Sequence, residues 1–208
     1  MKKLNFIIKY GLALLLLSFY SCESWLNVTP SDRLSEEMLF NDREGFVKAL
    51  NGVYIELNTN ELYGRNLTAG ALDVMGQYYS VASSSHAFYN YGGLVYTGND
   101  EKALFDNMWQ KCYAVIACCN TIIEKCDENK AGLSPVWKGS IKGEALALRA
   151  MLHFDMLRLF GPLTSELDKE SIPYQTNSDQ TVTPLLSGSE VIGLILDDLK
   201  NAVGLLKD

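Results

Sequence analysis

Two long amphipathic stretches separated by a short polar break set what this chain can fold into. Over residues 100–128 the side chains Phe105, Met108, Trp109, Cys112, Ile116, Cys119, Ile123 and Cys126 recur every three or four positions, which places them on one face of a helix. The second stretch carries its own punctuation. Ser134-Pro135 supplies a cap and a proline at the first helical position, and Gly161-Pro162 supplies a stop. Between these marks Trp137, Ile141, Ala145, Leu148, Leu152 and Leu159 share one face, while Leu146, Phe154 and Leu157 lie on another. A helix apolar on two sides is expected to be sandwiched between neighbours.

The remaining segments arrange themselves around this pair. Asn41 with Glu44 three residues on reads as a capping box that opens a helix near Asp42, burying Phe46, Leu50, Val53, Tyr54 and Leu57. A weaker helical pattern covers residues 65–77. Residues 78–98, YYSVASSSHAFYNYGGLVYTG, lose all periodicity and read as a loop. Residues 163–187 form a polar connection, and Ser187 with Glu190 is a second capping box, opening a helix that carries Val191, Leu194, Ile195, Leu199, Val203 and Leu206. No segment alternates long enough to argue for a strand, so the fold class is all-α. The helix starts near 101 and 135 lie one tetratricopeptide period apart, although both helices are too long for ordinary repeats. The expected architecture is an irregular tetratricopeptide-like helical repeat.

The N-terminal end reads as an address. Lys2, Lys3 and Lys9 precede and flank an apolar run from Tyr10 to Tyr20, about half the ~20 residues that a membrane-spanning helix needs. That pattern is an export signal rather than an anchor. Ser21 before Cys22 fits a cleavage site at which the cysteine becomes the new N-terminus and carries lipid, with Phe19 standing where leucine is usual; an ordinary secretory signal with an incidental cysteine is the alternative. The expected organisation is a signal peptide over 1–21, a lipidated tether over 22–40 that docks through Trp25, Leu26, Leu39 and Phe40, and a helical domain over 41–208. Losing three lysines and no acid makes the formal charge of -7 more negative still. So acidic a chain does not suit nucleic acid or anionic headgroups, and membrane attachment then rests on the lipid.

Beyond Cys22 the cysteines are Cys112, Cys118, Cys119 and Cys126, all on the first long helix. Seven-residue spacings along a helix cover about 10 Å, beyond the ~7 Å limit for a disulfide, and adjacent cysteines point about 100° apart. They read as small buried hydrophobes. Asn120 is expected to bond a neighbouring turn, and Arg149, His153, Asp155 and Arg158 to form structural pairs. With His86 and His153 the only histidines, and no nucleophile motif, HExxH or placed pair of catalytic acids, the sequence gives no reason to expect an enzyme, a metal or a cofactor.

Several stretches together resemble one family, the SusD/RagB outer-membrane nutrient-binding lipoproteins, in their N-terminal half. They are Cys22 with Trp25-Leu26 and VTPSD; ALNGVY at 49–54; Trp109, Tyr113, Ile116 and Asn120; KGEALALRAMLHFDMLRLFGP at 142–162; and Asp198-Leu199, Ala202 and Leu205-Leu206 in the closing helix. The resemblance implies a surface lipoprotein of the outer membrane, without catalytic activity. Such a protein binds glycans or peptides and passes them to a SusC-like TonB-dependent channel. It also implies that the C-terminal half of the family fold, which adds to the ligand surface, is absent here. A truncated scaffold acting only through protein contact is the competing reading.

A saccharide site needs aromatic faces for pyranose C–H surfaces, with amides and carboxylates for the hydroxyls. The 78–98 loop offers Tyr78, Tyr79, His86, Tyr89, Asn90, Tyr91 and Tyr96, and Asp73 and Arg65 precede it. These nine, together with lipidation at Cys22, are the candidate functional residues.

Overall fold

The computed structural model describes residues 36–179 and 181–207, so the expected export signal, Cys22, Trp25 and Leu26 lie outside the described residues. From Met38 onward the chain forms one unit. Its long helices are α1 (Arg43–Leu57), α2 (Asn99–Glu128), α3 (Pro135–Phe160) and α4 (Gly188–Leu205). α2 packs on α3 and α3 on α4, while α1 lies against both α2 and α3. This is the consecutive stacking expected of a helical repeat. The core runs between them: Phe46, Leu50 and Val53 from α1, Met108, Cys112, Ile116 and Cys119 from α2, Ile141, Ala145, Leu152 and Met156 from α3, and Val191, Ile195 and Ala202 from α4.

The helix ends follow from local chemistry. Ser134 Oγ accepts a hydrogen bond from the Trp137 amide, with Pro135 in the first turn, and α3 stops at Gly161. At α4 the capping box is complete: the Ser187 amide donates to Glu190 Oε2 at 2.8 Å and Ser187 Oγ accepts from the Glu190 amide. At α1 the expected box is displaced by one residue. Asp42, not Asn41, is the cap, its Oδ1 accepting from the Gly45 amide at 2.8 Å, and Glu44 instead pairs with Lys48 one turn on. The reason is the chain that enters the helix. A Cβ at position 45 would lie 1.5 Å from the Leu39 carbonyl oxygen, so the incoming segment crosses over Gly45 and fixes where α1 starts. Phe40, in that segment, is buried edge-on against Phe46.

Further expectations need correction, among them the burial of Tyr54, which is exposed on α1. The helical pattern over 65–77 survives only as Ala71–Met75, because residues 58–70 are spent in turns such as Tyr63 N–H to Leu57 O and Gly70 N–H to Arg65 O. The polar connection holds a short antiparallel ladder, β1 (Glu170–Pro173) with β2 (Leu185–Ser187), too brief for alternation to show in the sequence. α3 is not covered on every side: Trp137 and Phe154 are exposed, Trp137 beneath the Arg43 guanidinium at 4.6 Å. Of the four cysteines, Cys112, Cys119 and Cys126 are buried as expected, whereas Cys118 is exposed; all are free. Burial pushes the Cys119 thiol up to about 12 and that of Cys126 to about 11, so both stay protonated at neutral pH.

Asn120 and Arg149 meet their expected structural roles. Asn120 Nδ2 donates to the carbonyls of Gln175 and Asn177, and its Oδ1 accepts from Arg149 Nη1 at 2.8 Å. The connection after α3 is thereby pinned across α2, α3 and α4.

Candidate functional site

Four concavities among the described residues differ in what their walls could hold. The most voluminous of them, about 650 Å³, lies over Lys142, Arg149, Asp198, Lys200 and Asn201. Its polar floor is already engaged, since Arg149 bonds Asp198 and Asn120, and Lys142 bonds Asp127 at 2.5 Å. A groove of about 380 Å³ between α3 and α4, walled by Met151, Phe154, Ile192, Leu196 and Leu199, offers nothing to a hydroxyl. A cleft at Glu61, Asn107, Gln110 and Lys111 has no aromatic face. The fourth, about 470 Å³, combines an apolar floor of Leu67, Leu72, Met75 and Leu159 with Asp73, Tyr78 and Arg158.

Local backbone chemistry places Tyr78 at that cleft. The Ala71–Met75 helix ends at Gly76, and Gln77 takes a left-handed conformation, φ 60°, that is uncommon for a residue with a Cβ. The Gln77 side-chain amide holds this turn by donating to the carbonyls of Gly92, at 2.9 Å, and Val74. The reversal lets the Tyr78 amide bond back to the Asp73 carbonyl and lays the phenol ring over Gly76, where a Cβ would come within 3.1 Å of it. The residue is left 83 % exposed.

The polar groups beside it differ in how far they are satisfied. Asp73 is half-buried and its carboxylate makes no hydrogen bond or ion pair among the described residues. A carboxylate with no partner among the described residues has its acceptor sites open to a ligand's hydroxyl hydrogens. Arg158, from the last turn of α3, bonds Asp155 Oδ1 through Nε at 3.1 Å and through Nη2, and lies over the Phe154 ring. Asp155 also accepts the Tyr63 hydroxyl; burial first, and that hydrogen bond second, hold the Tyr63 phenol well above its usual range.

The sequence candidates divide accordingly. Asp73 and Tyr78 come together at one cleft. Tyr91 is 2 % exposed, packed edge-on against Phe88 and Phe105, which corrects its assignment as a ligand contact: the loop needs an apolar foot and Tyr91 provides it. Asn90 Nδ2 is taken by Glu101 Oε1 at 2.7 Å. The hydroxyl of Tyr79 donates to the Ala69 carbonyl at 2.6 Å, Tyr96 packs on Phe105, and His86 Nδ1 accepts from the Phe88 amide. Arg65 lies over the Phe88 ring and bonds Asn66. Tyr89 is exposed beside them. Arg158 was missed as a cleft residue. Its spacing from Asp155 signalled an intrahelical pair, and nothing in the sequence showed that the end of α3 would meet the turn at 71–78.

An exposed aromatic face, a carboxylate without a partner among the described residues and a guanidinium over an apolar floor are groups suited to a hydroxylated ring. The stacked helices around them make the chain a tetratricopeptide-like helical-repeat protein. Residues 24–208 match the SusD-like family described as starch-binding and associating with the outer membrane, and the chain belongs to that family. It is similar to SusD-like protein P38 of Formosa agariphila, 27 % identical over 199 residues that cover 88 % of this chain and 34 % of the relative. Over 110 residues, 51 % of this chain and 19 % of the relative, it is 30 % identical to a SusD-like protein of Bacteroides ovatus. Among solved structures it resembles a candidate sugar-binding protein of Bacteroides vulgatus, with TM-score 0.64 and 25 % identity over 80 % of this chain and 38 % of the other. A SusD superfamily protein of Bacteroides thetaiotaomicron shares the fold at TM-score 0.62 and 20 % identity, over the same shares of the two chains. The chain spans about a third of the length of the curated relatives that it matches most fully.

Proposed function

We propose that this protein is a non-enzymatic binder of oligosaccharides at the outer membrane and that the Asp73–Tyr78 cleft is its sugar-contacting surface. The observation that carries the reading is Asp73, half-buried and with no partner for its carboxylate among the described residues, beside the exposed Tyr78 ring. A pyranose would lay its C–H face on Tyr78 and give hydroxyl hydrogens to Asp73, with Arg158 donating to a ring or hydroxyl oxygen. In this reading Cys22 carries the lipid, and the bound sugar passes to a SusC-like TonB-dependent channel. The family's association with the outer membrane supports both steps.

The test is an oligosaccharide array probed with the purified chain and with Tyr78→Ala. Binding by the parent that falls about tenfold or more in the variant, with the helical signal unchanged, supports the proposal. Equal binding by both places the sugar elsewhere. The second reading, a helical scaffold engaged only in protein contact, draws on the all-apolar groove between α3 and α4 and predicts no sugar binding by a folded chain.

A further inference from the structure

We infer that the Asp73–Tyr78 cleft is selective for uncharged saccharides and turns away uronates and sulfated sugars; this rests on the saccharide-binding reading above. The argument is one of local charge. Asp73 faces the cleft with no cationic partner among the described residues. Arg158, the one cation of the lining among the described residues, is paired with Asp155. Its Nε and Nη2 both bond Asp155 Oδ1, and the Asp155 side chain is only 8 % exposed, so a buried carboxylate cancels the guanidinium charge at short range.

What remains among the described residues of the cleft is one net negative charge, beside a floor of Leu67, Leu72, Met75 and Leu159 that holds no polar group to offset it. The whole chain, at formal charge -7, adds a field of the same sign. An uncharged ring seated on Tyr78 can give two adjacent hydroxyl hydrogens to the two Asp73 oxygens, both as charge-assisted bonds. A ring bearing a carboxylate or sulfate brings a second anion to within about 5 Å of the first, and at the effective dielectric of a protein surface the repulsion weakens binding by about tenfold or more. Arg158 has N–H groups left to donate while it stays on Asp155, but the pair as a whole brings no net charge to the cleft.

The experiment is an array carrying neutral oligosaccharides and their uronate or sulfate counterparts, followed by calorimetric titration of matched pairs against the purified chain and Asp73→Asn. The expected result is that the neutral member of each bound pair binds about tenfold or more tightly than its acidic counterpart. That gap should shrink in Asp73→Asn, and also when ionic strength is raised to about 0.5 M. An acidic member that binds the parent chain as well as or better than the neutral one overturns the selectivity and leaves the saccharide reading standing. A gap that persists unchanged in Asp73→Asn also overturns it, since the discrimination would not come from this carboxylate. If a cooperatively folded chain binds neither kind, the saccharide reading itself falls.

Discussion

Arg149 and Asp198 meet side-on in the interior, Nε to Oδ2 and Nη2 to Oδ1, both at 2.7 Å, and so tie α3 to α4. Burial alone would lower the Arg149 pKa, but the hydrogen bonds and charge of Asp198 outweigh it and raise it. The Tyr174 hydroxyl donates to the same carboxylate at 2.6 Å. Taking away one partner strands a buried charge, so Asp198→Asn is expected to lower unfolding stability by about 3–5 kcal/mol. Replacing both groups, as Arg149→Met with Asp198→Leu, is expected to cost less than the two single changes added together. Urea denaturation of the three variants measures both.

His153 makes stability depend on pH. Its Nε2 accepts the Gln175 amide hydrogen at 3.0 Å, so the ring proton sits on Nδ1 and is donated to the Arg149 carbonyl, also at 3.0 Å. The ring stacks on Tyr174 at 3.9 Å. Burial is the main reason that its pKa falls from 6.5 to about 4. A base whose folded pKa is depressed binds its proton first in the unfolded chain. Its contribution to stability is therefore complete above pH 6.5 and is lost as pH falls from there to about 4, a difference of about 3 kcal/mol. His153→Gln should flatten the stability profile over that window by about one proton, whatever its stability at pH 7.

Gly45→Ala separates two effects of opposite sign. Helix propensity alone favours alanine by about 1 kcal/mol. The Leu39 carbonyl oxygen, 1.5 Å from the Cβ position, demands that the incoming chain move. We expect the clash to win and stability to drop by about 2 kcal/mol or more, seen as a lower thermal midpoint.

How much of this was legible depends on the range over which each feature is decided. α3 and α4 could be read almost to the residue because their marks are local: Ser134-Pro135, Gly161 and the Ser187–Glu190 box act within one turn. The start of α1 was misread by one residue because Leu39 crossing Gly45 is a packing event that no local pattern shows. In the loop, tyrosines that look alike in sequence have opposite fates. Tyr91 is drawn inward by Phe105, on α2, whereas Tyr78 is turned outward by the left-handed Gln77. Arg158 joined the cleft through a contact some eighty residues distant in sequence, beyond any spacing argument.

That division gives a paired prediction. Tyr91→Ala removes a buried aromatic and is expected to cost about 3 kcal/mol or more. Tyr78→Ala removes an exposed one and is expected to stay within about 0.5 kcal/mol of the parent. Chemical denaturation of the two variants side by side checks the assignment without any ligand.

The central claim is tested most directly by a crystal structure of the chain with an oligosaccharide selected on the array. The account predicts a sugar ring lying flat on Tyr78, with two hydroxyls on the Asp73 carboxylate and the Arg158–Asp155 pair intact. Sugar bound instead over Arg149 and Lys200, or along the 89–96 segment with Tyr78 and Asp73 left bare, would contradict it.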